Sequence, residues 1–149
     1  MVRALREGEA RAFDVAWPAW AHAGQPPTDD WHIWVLLAGR GFGKTRAGAE
    51  HVSAFARATP GARIALVGAT ADEARRVMIE GKSGLIAAAR PGKERNGLIW
   101  EPSRDRLEFA SGAEAQIFSA ANPEALRGPE HHFAWADELA KWRRAQATW

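Results

Sequence analysis

The eight residues Ala38-Gly39-Arg40-Gly41-Phe42-Gly43-Lys44-Thr45 restrict the fold of this chain more than any other stretch. They follow Trp31-His32-Ile33-Trp34-Val35-Leu36-Leu37, an almost continuous apolar run of strand length, as expected of a parallel strand buried on both faces. A helical pattern starts at the end of the turn and runs to about Arg57, with Ala47, Ala49, Val52, Ala54 and Phe55 available for packing and Pro60-Gly61 as its stop. Buried strand, glycine-rich turn and helix in that order predict an α/β fold.

The residue types in the turn suit a triphosphate. Phosphate oxygens need several donors converging on one concave surface, and the backbone N–H groups of Gly41, Phe42, Gly43 and Lys44 can converge only where side chains do not obstruct. The helix N-terminus adds the positive end of its dipole. Lys44 would set a point charge on the β- and γ-phosphates, and the Thr45 hydroxyl would ligate Mg²⁺. The usual spacing G-x-x-x-x-G-K-[S/T] asks for glycine at position 38, and this chain has Ala38 with the loop length kept. Two other readings compete: a glycine turn that only caps a helix, and a dinucleotide fingerprint. The G-x-G-x-G spacing followed by Lys-Thr fits a triphosphate better than a dinucleotide.

Elsewhere the pattern alternates. A helix is expected over residues 3–17, ended by Pro18, with a loop over 23–30. Arg63–Gly68 reads as a strand, and helices are expected over about 71–80 and 85–90. Residues 98–101, 106–109 and 114–118 read as short antiparallel strands, with Ser111-Gly112 as a hairpin turn. Asn122 and Pro123 open a short helix, residues 131–136 form a last strand, and a polar helix follows to the end.

That last strand ends in Asp137-Glu138. A phosphate-loop ATPase needs one acid to hold Mg²⁺ and another to polarise the attacking water. At the C-terminal edge of a parallel strand beside the loop, Asp137 suits the first task and Glu138 the second.

Composition narrows the alternatives little. The 149 residues suffice for one compact domain. There is no cysteine, which removes disulfides and thiolate metal sites. The net charge is only +2, and the pairs Arg75-Arg76 and Arg143-Arg144 read as solvated helix faces, so composition does not point to nucleic acid. No apolar run approaches bilayer length, and residues 1–9 lack the apolar stretch of a signal peptide. The eight tryptophans fall mostly in apolar patterns and read as core or interface. His131 and His132 point to opposite faces of a strand and cannot share one metal.

Three segments in order, WVLLAGRGFGKTRAGAEHV, RLEFASGAEAQIFSAANPEALRG and NPEALRGPEHHFAWADELAKW, resemble the N-terminal ATPase part of phage and gene-transfer-agent terminase large subunits, from about Gln25 to Trp142. The resemblance implies an α/β fold of the P-loop NTPase type (RecA-like, ASCE), with a parallel-sheet core and a small antiparallel β insert. It divides the chain into an N-terminal helical segment, 1–24, and a partial ATPase domain, 25–149. The family's further core strands, coupling motif and nuclease domain are expected to be absent, so that the core is incomplete at its C-terminal end. It also implies ATP and Mg²⁺ as cofactors and double-stranded DNA, a portal protein, a terminase small subunit and a homo-oligomeric ring as partners, with no membrane. The place would be the host cytoplasm at the procapsid portal. Within the site it implies roles for Gly39 through Thr45 on the phosphates, Arg40 on the nucleotide, Arg127 toward a neighbouring subunit's nucleotide and Gln25 on adenine. An amide like that of Gln25 can bond both N6 and N7 of adenine. A helicase-like P-loop motor and a nucleotide-binding fragment without turnover remain as alternatives.

Overall fold

The computed structural model describes residues 16–23, 25, 31–143 and 145–148. In chain order the elements are α1 (Trp17–Trp20), α2 (Lys44–Ala58), β1 (Arg63–Gly68), α3 (Ala71–Ala74), α4 (Leu85–Ala88), α5 (Lys93–Asn96), β2 (Ile99–Glu101), β3 (Arg106–Glu108), β4 (Glu114–Ser119), β5 (Phe133–Ala136) and α6 (Ala145–Thr148). A π-helical stretch, Arg75–Ile79, continues α3, and 3₁₀ turns cover Pro102–Arg104, Pro123–Leu126 and Leu139–Lys141.

The strands form one mixed sheet in the order β2-β3-β4-β1-β5. β1 lies between two parallel neighbours, Leu66 opposite Ile117 of β4 and Trp135 of β5. β2 and β3 add antiparallel strands on the far side of β4. The expected β insert is therefore not separate, because β4 belongs to the hairpin and to the parallel core at once.

β1 is buried on both faces, and its alternation feeds two cores. Ile64 and Leu66 join Ala49, Val52 and Ala56 of α2, Met78, Ile79, Leu85, Leu107 and Ile117. Ala65 and Val67 face the other way, onto Phe118, Ala120 and Trp142. Burying a side chain such as Leu66 contributes about 1.5–3 kcal/mol. On α2 the spacing of Ala49, Val52 and Ala56 places them on one face. Thr70 caps α3 by accepting from the Glu73 backbone N–H at 3.2 Å.

Two expectations need correction. Residues 1–15, most of the first expected helix, lie outside the described residues. Pro18 sits in the first turn of α1, a position where the missing N–H costs nothing. After Glu138 the chain makes a 3₁₀ turn and the short α6 in place of one polar helix.

The second correction concerns residues 31–37, which form no strand and pair with no neighbour in the sheet. Rings hold the segment instead. Trp34 lies 4.5 Å from His51 of α2, and Trp31 meets Phe133 of β5 edge-on at 6.1 Å. Ile33, Val35 and Leu37 are 61%, 60% and 90% exposed. A groove of about 570 Å³ lies between residues 31–38 and β5. Apolar composition favours strand burial, but a ladder needs a partner backbone at about 4.8 Å, and the groove intervenes.

Gly48 shows how closely α2 approaches β5. A Cβ at this position would lie 2.3–2.7 Å from the Trp135 indole. Gly48→Ala should therefore destabilise the fold by about 1–3 kcal/mol through overpacking, although alanine is the better helix former. Urea denaturation checks this, and an unchanged or raised midpoint would contradict it.

Candidate functional site

The glycine turn enters α2 through two residues in the left-handed region, Gly41 at φ 80° and Gly43 at φ 86°. Such φ values favour glycine, since a Cβ there meets its own backbone. Gly43 has a second constraint, because a Cβ would lie 2.7 Å from Gln25 Nε2. Gln25 is buried, 1% exposed. Its Oε1 accepts from the His22 backbone N–H at 2.7 Å, and its Nε2 donates to the Phe42 carbonyl. The amide thus ties the segment before residue 31 to the turn. Contact with an adenine would require it to exchange these bonds.

Lys44 is the first residue of α2, and its ammonium curls back over the turn to donate to the carbonyls of Ala38 and Gly39 at 2.7 and 2.8 Å. Thr45 is half-buried in the first turn of the helix. Arg40 is exposed on the turn. Arg127 lies away from the groove, on an exposed turn after Leu126, paired with Glu124 at 3.0 Å.

Pairing brings the acids alongside. The Asp137 N–H donates to the Val67 carbonyl at 3.0 Å, carrying the β1–β5 ladder one residue past the strand. Glu138 then turns the chain with φ 50° and ψ 48°. A non-glycine residue there costs roughly 1–2 kcal/mol. Bonds on both sides hold the turn: Lys141 N–H to the Glu138 carbonyl at 2.8 Å, and Trp142 Nε1–H to the Asp137 carbonyl at 3.0 Å. Trp142 is itself buried in the second core.

Lys44, Asp137 and Glu138 line the same groove. Burial pushes the Asp137 carboxyl above its usual range, and the charges of Glu138 and Glu73 push it further, while a backbone bond from Glu138 and the Lys44 charge oppose them. A hydrogen bond from Lys141 holds Glu138 below the usual carboxylate range against a smaller effect of burial. A divalent cation would relieve the crowding around Asp137, so the donor set fits Mg²⁺. Among the described residues no group of three or more acidic or histidine side chains forms a cage.

Glu73 and Lys141 join the site without a signal in the sequence. Both carry only the signature of a solvated helix face, and the fold alone joins them at 2.9 Å.

Asp137→Asn should melt higher than the parent at neutral pH without nucleotide or Mg²⁺, because the amide carries no charge to be penalised by burial. The folded-state pKa lies above the ordinary 3.8. The charge's penalty is therefore absent below that value and complete once the pH has passed the raised one. The difference in melting temperature should shrink as pH falls toward 4, and an equal or lower melting temperature at pH 7 would refute this account.

The family described as terminase large subunit, T4likevirus-type, N-terminal, matches residues 35–149. The chain is also similar to a solved structure, the large terminase ATPase domain of Thermus phage P74-26, with a TM-score of 0.54 and 23% identity. The match covers 70% of this chain and 47% of that one, so the chain spans about half the length of the structure it resembles. No curated protein matched. Among the described residues no helix is long and apolar enough to cross a membrane. The shared fold and the match over most of the chain place this protein in the terminase large subunit family, as its N-terminal part.

Proposed function

We propose that this chain is the nucleotide-binding part of a DNA-packaging motor, binding ATP with Mg²⁺ and coupling hydrolysis to movement of double-stranded DNA into a procapsid. The supporting observation is the meeting of Lys44, Asp137 and Glu138 on one groove, from elements 93 residues apart in sequence.

In this reading the backbone from Gly39 to Lys44 cradles the phosphates at the dipole end of α2. The Lys44 ammonium exchanges its two loop carbonyls for the β- and γ-phosphates. Thr45 and Asp137 would hold Mg²⁺, which when bound neutralises charge on the phosphates. Glu138 orients and polarises the water that attacks the γ-phosphoryl group. Arg40, exposed on the turn, adds charge to the nucleotide in its own subunit. Arg127 would exchange Glu124 for a nucleotide held by a neighbouring subunit. Gln25 ties the turn to the preceding segment and would offer its amide to adenine. The portal protein, the small subunit and a ring of copies belong to the same proposal, as does a site of action at the procapsid portal in the host cytoplasm.

Binding of a fluorescent ATP analogue with Mg²⁺, beside phosphate release with and without double-stranded DNA, tests the proposal. Saturable binding with DNA-stimulated release supports it. Binding without release would reduce the chain to a nucleotide-binding element, and no binding would overturn the reading.

A further inference from the structure

Three carboxylates meet where β1 and β5 end. Glu73 comes from α3, and Asp137 and Glu138 come from the turn after β5, all lining one small cavity with Gly68 and Ala69. Like charges this close repel one another. Lys141 bridges two of them. Its Nζ donates to Glu73 Oε1 at 2.9 Å and also contacts Glu138 Oε2. Its backbone N–H bonds the Glu138 carbonyl, so Lys141 holds Glu138 at both ends.

We propose that Lys141 is a positioning residue that clamps the Glu138 carboxylate, with Glu73 as its anchor on α3. The proposal rests on the reading of Glu138 as the water-polarising group. All three side chains are partly exposed, and exposed pairs contribute only about 0–1 kcal/mol. Stability does not account for the arrangement. Placement does, because Glu138 sits in a strained turn directly beside Asp137, whose charge repels its own. Displacing a catalytic group by about 1 Å can cost roughly a hundredfold in rate. Lys141 would act through Glu138 and touch no reacting atom itself.

The test compares Lys141→Met and Lys141→Arg in the whole chain. Turnover is measured across ATP concentrations. Retention of ADP with Mg²⁺ and aluminium fluoride, a mimic of the γ-phosphoryl with its attacking water, is measured separately and needs no turnover. Lys141→Met should lower kcat about tenfold with KM within about twofold, as for an interaction made in the transition state. It should weaken the fluoride-trapped complex by a similar factor while ADP alone binds as before, and Lys141→Arg should restore most of both. In a Glu138→Gln background, Lys141→Met should cause no further loss, as expected of groups acting as a unit. Unchanged trapping and kcat in Lys141→Met, or an undiminished extra loss in the Glu138→Gln background, overturns the proposal. If Glu138→Gln alone leaves turnover and trapping intact, the role of Glu138 falls, and the clamp falls with it by a separately visible route.

Discussion

Lys44→Ala should lower kcat/KM for Mg²⁺–ATP by at least about a hundredfold, the scale of losing one preorganised charge on a developing oxyanion. The effect should be large because the Lys44 ammonium is held on the carbonyls of the turn and its charge is felt by Asp137. The fold should survive. The bonds lost are those to the carbonyls of Ala38 and Gly39, each worth about 0.5–1.5 kcal/mol where water cannot replace them, and Gly39 is exposed. Loss of analogue binding with a melting temperature within about 4 °C of the parent is the expected pair of results. Wild-type turnover in Lys44→Ala would mean that phosphates are held elsewhere.

Glu138→Gln should separate binding from chemistry. The amide keeps the shape of the carboxylate and an oxygen that can accept from Lys141, so the turn should hold. It is far too weak a base to polarise water. A fall in kcat of about 10²–10⁴-fold is expected, with analogue affinity within about threefold of the parent. Single-turnover phosphate release beside equilibrium binding distinguishes the two effects. Equal loss of affinity and rate would assign Glu138 to holding nucleotide instead.

The residues proposed to carry the chemistry are legible in the amino-acid sequence, and their partners are not. The Gly39–Thr45 turn announces itself through glycine spacing, and the fold sets Gly41 and Gly43 at the positive φ that explains them. Asp137 and Glu138 are visible as acids at a strand end. Glu73 and Lys141 are not, because an exposed Glu and Lys on separate short elements look like any solvated pair. Gln25 is expected near a nucleotide and is found tied to the Phe42 carbonyl, a contact across 17 residues that no local pattern announces.

The same division runs through the fold. Helix α2 and strand β1 can be read directly. A helix satisfies its hydrogen bonds within its own turns, so its periodicity and stop signals suffice, and β1 is buried on both faces by five residues in a row. The run Trp31–Leu37 carries an equally strong strand signal and forms none. Its neighbour across the groove, β5, is an edge of the sheet. The sequence thus determined which residues are apolar, which turn suits a phosphate and which helix follows it. Tertiary structure decided whether an apolar run finds a backbone to pair with, and which charges end up face to face, since both depend on groups supplied by distant parts of the chain.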